Sequence, residues 1–139
     1  MSPINFLAVF IAAAAAFIIG FLFHGPLFGK LWMRLANIVP TGNEKLSDMY
    51  GQMFWNFVSN FVTAFVMALI FWVVFSSPVM GEITWLKGAI MGIWLWFGFL
   101  VTSSSIEVIW MGKSFKLWLF EACSSLVVMI AMGIIIALF

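Results

Sequence analysis

The chain has 139 residues, 65% hydrophobic and 8% charged, with a mean hydropathy of +1.20, whereas a soluble domain carries roughly a quarter charged residues. Six Lys and Arg against five Asp and Glu leave a formal charge of +1, which supplies no basic face for nucleic acid and no acidic tail for basic partners. A water-soluble globule and a nucleic-acid binder are excluded, the lipid bilayer is the expected partner, and the lone Cys123 rules out an intrachain disulfide or a thiolate cluster.

Crossing a hydrocarbon core takes about 20 mainly apolar residues in a helix, because lipid offers backbone N–H and C=O groups no partners and a helix satisfies them internally. Four segments qualify, at about residues 4–24, 53–75, 85–110 and 115–139. The expected fold is all-α, an integral membrane four-helix bundle forming one transmembrane domain over residues 1–139. The opening Met1-Ser2-Pro3-Ile4-Asn5 lacks the basic flank of a secretory signal and the apolar run behind it is too long for one, so the first segment is read as a retained helix. On it Ala8, Ala12, Ala16 and Gly20 fall at successive i+4 positions, a small-residue stripe of the kind that lets membrane helices approach closely.

Gly25-Pro26 breaks that helix and opens the long connection. Over residues 26–38 the apolar Leu27, Leu31, Leu35 and Ile38 recur at helical spacing while Lys30 and Arg34 stand one turn apart, which predicts a short interfacial amphipathic helix. Pro40-Thr41-Gly42-Asn43 then turns the chain. Asn56, Asn60, Ala64 and Ala68 share an i+4 row on the second span. Ser76-Ser77-Pro78 and Gly81-Glu82 close a short turn, Gly88 and Gly92 place a small-residue contact on the third span, and Met111-Gly112-Lys113-Ser114 turns into the fourth.

Lys30, Arg34, Lys45, Lys113 and Lys116 fall in the first and third connections and their flanks, against Lys87 alone in the second. The bias of Lys and Arg toward the cytoplasm then predicts both termini outside, periplasmic in a Gram-negative cell. Trp32, Trp55, Trp110 and Trp118 mark the inner boundary, and Trp72 and Trp85 the outer one.

An ionisable side chain at the centre of a span costs about 2.5–3.5 kcal/mol or more, so each one within a span is a functional candidate. His24, Glu107 and Glu121 qualify. At about 1.5 Å per residue, Glu121 falls roughly 8 Å beyond Lys116, Glu107 roughly 9 Å inside Lys113, and His24 at a similar depth from Lys30. Asn56, Asn60, Ser103 and Ser125 reach the same level. Ser103 lies one turn before Glu107 and Ser125 one turn after Glu121, so each carboxyl has a hydroxyl on its own helix face. Turned inward, these side chains form a polar cluster able to bind a cation or relay protons.

Other readings compete with that one. His24 sits beside a helix break, where it can cap carbonyls, and the two glutamates lie within reach of Lys113 and Lys116 as structural ion pairs. With no second histidine and no Glu-x-x-His spacing, neither a metal nor a haem site is expected, and no cofactor is. No nucleophile has an adjacent base, so no catalytic residue is assigned and an enzyme is not expected.

The run from Gly20 to Trp32, with Pro26-Leu27-Phe28-Gly29-Lys30-Leu31-Trp32 its most specific part, resembles the first-helix signature of a family of small bacterial membrane proteins known as domain of unknown function 1761. The pattern there reads glycine, an aromatic pair, Pro, an apolar pair, Gly-Lys and Trp. Tyr50-Gly51 and the Gly112-Lys113 turn fit the same family, and the resemblance covers most of the chain. It implies four transmembrane helices, a bacterial inner membrane and no set activity. Phe23-His24 stands where the aromatic pair is expected, and Glu107 and Glu121 where the family looks Asn-like, so ionisable groups replace neutral ones at one depth.

Two functions follow as expectations. One is a homo-oligomeric transporter or channel in which the His/Glu/Asn cluster handles a cation or proton. The other is a non-catalytic accessory subunit that packs against a larger membrane complex.

Overall fold

The computed structural model describes residues 4–139; residues 1–3, read above as an uncharged flank, lie outside the described residues. It contains α1 (Phe6–His24), α2 (Gly29–Leu35), α3 (Tyr50–Phe75), α4 (Trp85–Leu95), α5 (Thr102–Met111) and α6 (Phe115–Leu138), with no strand among the described residues. A 3-10 turn, Leu46–Met49, leads into α3, and a π-helical segment, Trp96–Val101, fuses α4 to α5. Four stretches are therefore long and apolar enough to cross a membrane: Phe6–His24, Leu46–Phe75, Trp85–Met111 and Phe115–Leu138.

Local chemistry sets the boundaries. Asn5 stands outside α1 because its side-chain oxygen accepts from the backbone N–H of Leu7 (3.0 Å) and Ala8 (3.3 Å), which starts the helix at Phe6 instead of residue 4. Thr84 caps α4 through Lys87 N–H at 3.3 Å. The second span begins earlier than residue 53, since the Asp48 carboxylate accepts the Lys45 N–H at 3.3 Å and nucleates the turn at Leu46–Met49. α2 is shorter than the 26–38 expected. The chain leaves α1 through backbone bonds from Leu27 to Leu22 (3.0 Å) and from Gly29 to Gly25 (2.9 Å), and it stops soon after α2 at Asn37, whose φ of 55° is left-handed. Beyond it the Glu44 carboxylate closes the Pro40–Asn43 turn, accepting from Thr41 N–H (2.7 Å) and Gly42 N–H (3.0 Å), and these bonds, led by that from Thr41, hold its carboxyl below the usual range.

Across the bundle the spans follow the order α3, α1, α6, α4, with α5 continuing α4. Ala8, Val9, Ala12, Ala13 and Ala16 are buried on α1, which packs against both α3 and α6. Three of the four stripe residues therefore sit in packed surface. Gly20 does not: a Cβ built there meets nothing within 4 Å. The tightest crossing joins α4 to α6. A Cβ on Gly88 would lie 2.6 Å from the Ala137 Cβ, one on Gly92 would lie 2.9 Å from the Met129 carbonyl carbon, and one on Gly133 would lie 2.9 Å from the Gly88 carbonyl carbon. Lipid supplies no hydrophobic drive between helices, so backbone approach of this kind is what holds them.

The core of Val9, Met67, Phe71 and Met132 lies toward the end of the bundle that carries both termini, where Asn5 Nδ2 donates to the Phe139 carbonyl at 3.4 Å. Toward the opposite, Lys113 end the packing loosens: the α3 and α5 backbones stay more than 8 Å apart at Cα among the described residues.

Replacing Gly133 with Val should lower the unfolding midpoint in mixed detergent titrations by the equivalent of about 1–3 kcal/mol, the usual cost of overpacking. Gly20→Val adds the same side chain into open space and should leave the midpoint nearly unchanged; equal effects would contradict the crossing.

Candidate binding cavity

Between α1, α3 and α6 lies a cavity of about 400 Å3. His24 from α1, Asn56 and Asn60 from α3, and Glu121 and Ser125 from α6 all line it. Leu100, in the π-helical segment, forms the opposite wall. Ser103 lines a second, adjoining cavity of about 240 Å3, which shares Leu100, Glu121 and Ser125 with the first. Glu107 lines neither of these two cavities.

His24 lines the cavity and also bonds a carbonyl of its own helix. Its Nδ1 donates to the Gly20 carbonyl at 2.9 Å, one turn back, and the ring packs edge-on against Trp32 and Phe120 with centroids 5.1 and 5.6 Å away. With Nδ1 donating, the neutral ring keeps Nε2 as an acceptor. On α3, Asn60 Nδ2 donates to Asn56 Oδ1 at 2.8 Å, so the amide pair forms a ladder along the cavity wall.

The hydroxyls do not serve the carboxyls as the spacing suggested. Ser103 donates to the Phe99 carbonyl, Ser104 to Leu100 O (2.7 Å) and Thr102 to Gly98 O (2.7 Å), all within their own helix. The physical reason is that a helical Ser or Thr has the carbonyl one turn back within reach, as Thr63 also shows by donating to Ser59 O at 3.0 Å on α3, and in an apolar medium the hydroxyl takes it. Ser125 donates to Ala122 O (2.9 Å) and accepts from Trp96 Nε1 (3.0 Å). Trp96 also reaches Ala122 O at 2.9 Å, and Trp118 Nε1 donates to Ser104 Oγ at 2.9 Å, so two indoles tie the third span to the fourth.

Glu107 and Glu121 meet at Lys113. α5 ends at Gly112, whose φ of 70° is left-handed, and the Lys113 N–H closes on the Glu107 carbonyl at 3.1 Å. This tight reversal sets Lys113 Nζ 2.6 Å from Glu107 Oε2 and in contact with Glu121 Oε2. Lys116, the other cation considered, forms no ion pair among the described residues. Burial alone would push the Lys113 ammonium down, but its bonds to Glu107 and Glu121 outweigh that and raise it above the ordinary lysine value of 10.5. Two carboxylates share one ammonium, which leaves a surplus negative charge beside the cavity.

No group of three or more His, Cys, Asp or Glu side chains gathers among the described residues, so the cavity holds no metal-type donor set.

A family model described as "Protein of unknown function (DUF1761)" matches residues 7–137. The chain belongs to that family. No curated protein and no solved structure matches it. The family match covers all four spans but for the first residue of α1 and the last of α6, so the cavity, its ion pairs and the π-helical segment all lie inside it.

The sequence marked the polar side chains of this family member and gave Lys113 and Lys116 as ion-pair partners of the glutamates, of which Lys113 alone serves, bridging both; it missed Gly133 as the partner of Gly88 and Gly92, and the two indole donors. A signal for Lys113 was present, since its turn separates Glu107 from Glu121 by only 14 residues and returns one helix beside the other. Nothing in the sequence pairs Gly133 with the third span.

Lys113 has a folded-state pKa above its unfolded one. Its stabilising contribution is therefore complete below about pH 10.5 and lost as the pH climbs through the raised folded value. Thermal melting in detergent should show this alkaline loss, and Lys113→Met should remove it while costing about 1 kcal/mol at neutral pH, as partly exposed pairs do. An unchanged alkaline loss in the variant would assign it to another group.

Proposed function

We propose that this membrane protein binds or relays a cation, foremost the proton, at the Glu121 cavity and moves it across a bacterial inner membrane as a homo-oligomer. The observation that carries the reading is the convergence of His24, Asn56, Asn60, Glu121 and Ser125, from three separate helices, on one cavity that also sits beside a surplus carboxylate charge. Polar groups at membrane depth are costly and persist where they serve a pathway or a site. The cation bias of the connections supports a cytoplasmic opening and both termini outside.

Self-association has separate support in the third span. Only 6% of its most apolar window is buried by its own chain, and Trp94, Phe97, Phe99 and Trp110 are exposed along it. That surface equally favours the second reading, an accessory subunit docked on a larger membrane complex. The two readings part at Glu121.

In proteoliposomes carrying a membrane potential and a trapped pH dye, the wild-type chain should pass protons faster than empty liposomes. Glu121→Gln, folded by circular dichroism, should lose that flux by about tenfold or more, as expected for removal of a charged partner. Equal flux in the variant, or none from the wild type, would overturn the transport reading in favour of the accessory one.

A further inference from the structure

The smaller cavity, about 240 Å3 between the third span and α6, has a chemistry of its own. The close crossing fixes its register. Gly88 and Gly92 meet Gly133 and Met129, and the antiparallel pairing continues with Trp96 at Ala122 and Ser125 and then with Ser104 at Trp118. Glu121 lies between those last two contacts. A helical side chain leans toward its own N-terminus, so the Glu121 carboxyl is carried back toward Trp118. Its bond to Lys113, which also holds Glu107 one turn beyond Ser103, draws it the same way. Ser103, Ser104 and the Glu121 carboxyl, all on the wall of this cavity, therefore stand at one level, and Ser125 lies one turn further toward the end with the termini.

Every side-chain donor on that wall is already used. Trp96 Nε1 goes to Ala122 and Ser125, Trp118 Nε1 goes to Ser104, and the single hydrogens of Ser103, Ser104 and Ser125 go to carbonyls of their own helices. Only lone pairs remain. Ser103 Oγ accepts no bond among the described residues, Ser104 Oγ accepts one, and Lys113 leaves Glu121 Oε1 without a protein partner there. A hydroxyl that has given its hydrogen to a carbonyl presents the negative end of its dipole. A recess lined in this way offers nothing to an anion and suits a hard cation that needs oxygen ligands. The charge of that cation is set as well. One ammonium faces two carboxyl groups at a depth where net charge is costly, so one further positive charge balances them and a divalent ion overshoots.

Resting on Glu121 as a cation-binding carboxyl, as proposed above, we infer that the smaller cavity holds one alkali-metal ion, ligated by Glu121 Oε1 and the hydroxyl oxygens of Ser103 and Ser104. With about 240 Å3, the cavity has room for the ion and for a few waters that complete its coordination. The ion and the proton are alternatives at one carboxyl: a proton on Glu121 removes the charge that holds the metal ion. The two serines come from the third span and the carboxylate from α6, so the ion also ties together two elements that at this level lack the backbone contact made by the glycines.

The test is equilibrium binding of radioactive sodium and, separately, radioactive rubidium to the purified full chain in detergent at mildly alkaline pH, with choline chloride holding the ionic strength. At least one of the two should bind at one ion per chain, displaced by the unlabelled ion and by acidification but not by choline. Glu121→Gln should weaken binding by about tenfold or more, as loss of a charged ligand implies. Ser103→Ala removes an oxygen that no protein group uses and breaks no ion pair, so it carries the test even if Glu121→Gln fails to fold; it should weaken binding by about threefold or more, of the order of one neutral hydrogen bond. Asn60→Ala, which alters only the larger cavity, should leave binding unchanged. Weakening by Asn60→Ala with none by Ser103→Ala would put the ion in the larger cavity and overturn the inference. Failure of both isotopes to bind the wild type would overturn it too, while a proton flux that is lost in Glu121→Gln would keep the transport reading standing.

Discussion

The close crossing of α4 on α6 governs what the rest of the chain is able to do. Gly88, Gly92 and Gly133 bring two backbones into direct contact, which in lipid is the available substitute for a hydrophobic drive. The third span therefore meets the fourth backbone to backbone at one end only. Beyond Leu95 the helix widens into a π segment, and α5 lies less closely on α6 than α4 does. The space so opened is held by specific bonds: Trp96 to Ala122 and Ser125, Trp118 to Ser104, and Lys113 across Glu107 and Glu121. The smaller cavity, between the third span and α6, is thus a consequence of where the glycines stop.

The polar chemistry follows the same division. Toward the end with the termini, α1, α3 and α6 bury an apolar core around Phe71 and Met132, and no ionisable group intrudes. Toward the Lys113 end, the same helices carry His24, Asn56, Asn60 and Glu121 into the opening. Carboxylates in a membrane span need a partner, and the one they find is shared. That sharing sets one ammonium against two carboxyl groups beside the cavity, and the proposed cation binding draws on it.

Much of this was legible from sequence because the governing signals are local. Span lengths follow from runs of apolar residues, and the depth of His24, Glu107 and Glu121 follows from helical rise alone. Ala8, Ala12 and Ala16 could be read as one face of a helix. The rest depends on neighbours. Whether Gly20 packs is decided by which helix lies across from it, and none does. The hydroxyls of Ser103 and Ser125 were assigned to a carboxyl on spacing, but each donates instead to a carbonyl of its own helix, Phe99 O and Ala122 O. Lys113 was visible as a candidate partner, yet its bridge to both glutamates needed the left-handed Gly112 turn.

The central claim is that Asn60, deep within an apolar span, faces a space open to the Lys113 end of the bundle. Its most direct test is thiol labelling. In a Cys123→Ser background, Asn60→Cys should react with a membrane-impermeant maleimide in inside-out vesicles, from the same side as a Lys45→Cys control, while Ala68→Cys, two turns further into the packed core, stays unlabelled. Asn60→Cys that resists the reagent while Lys45→Cys reacts would contradict the account.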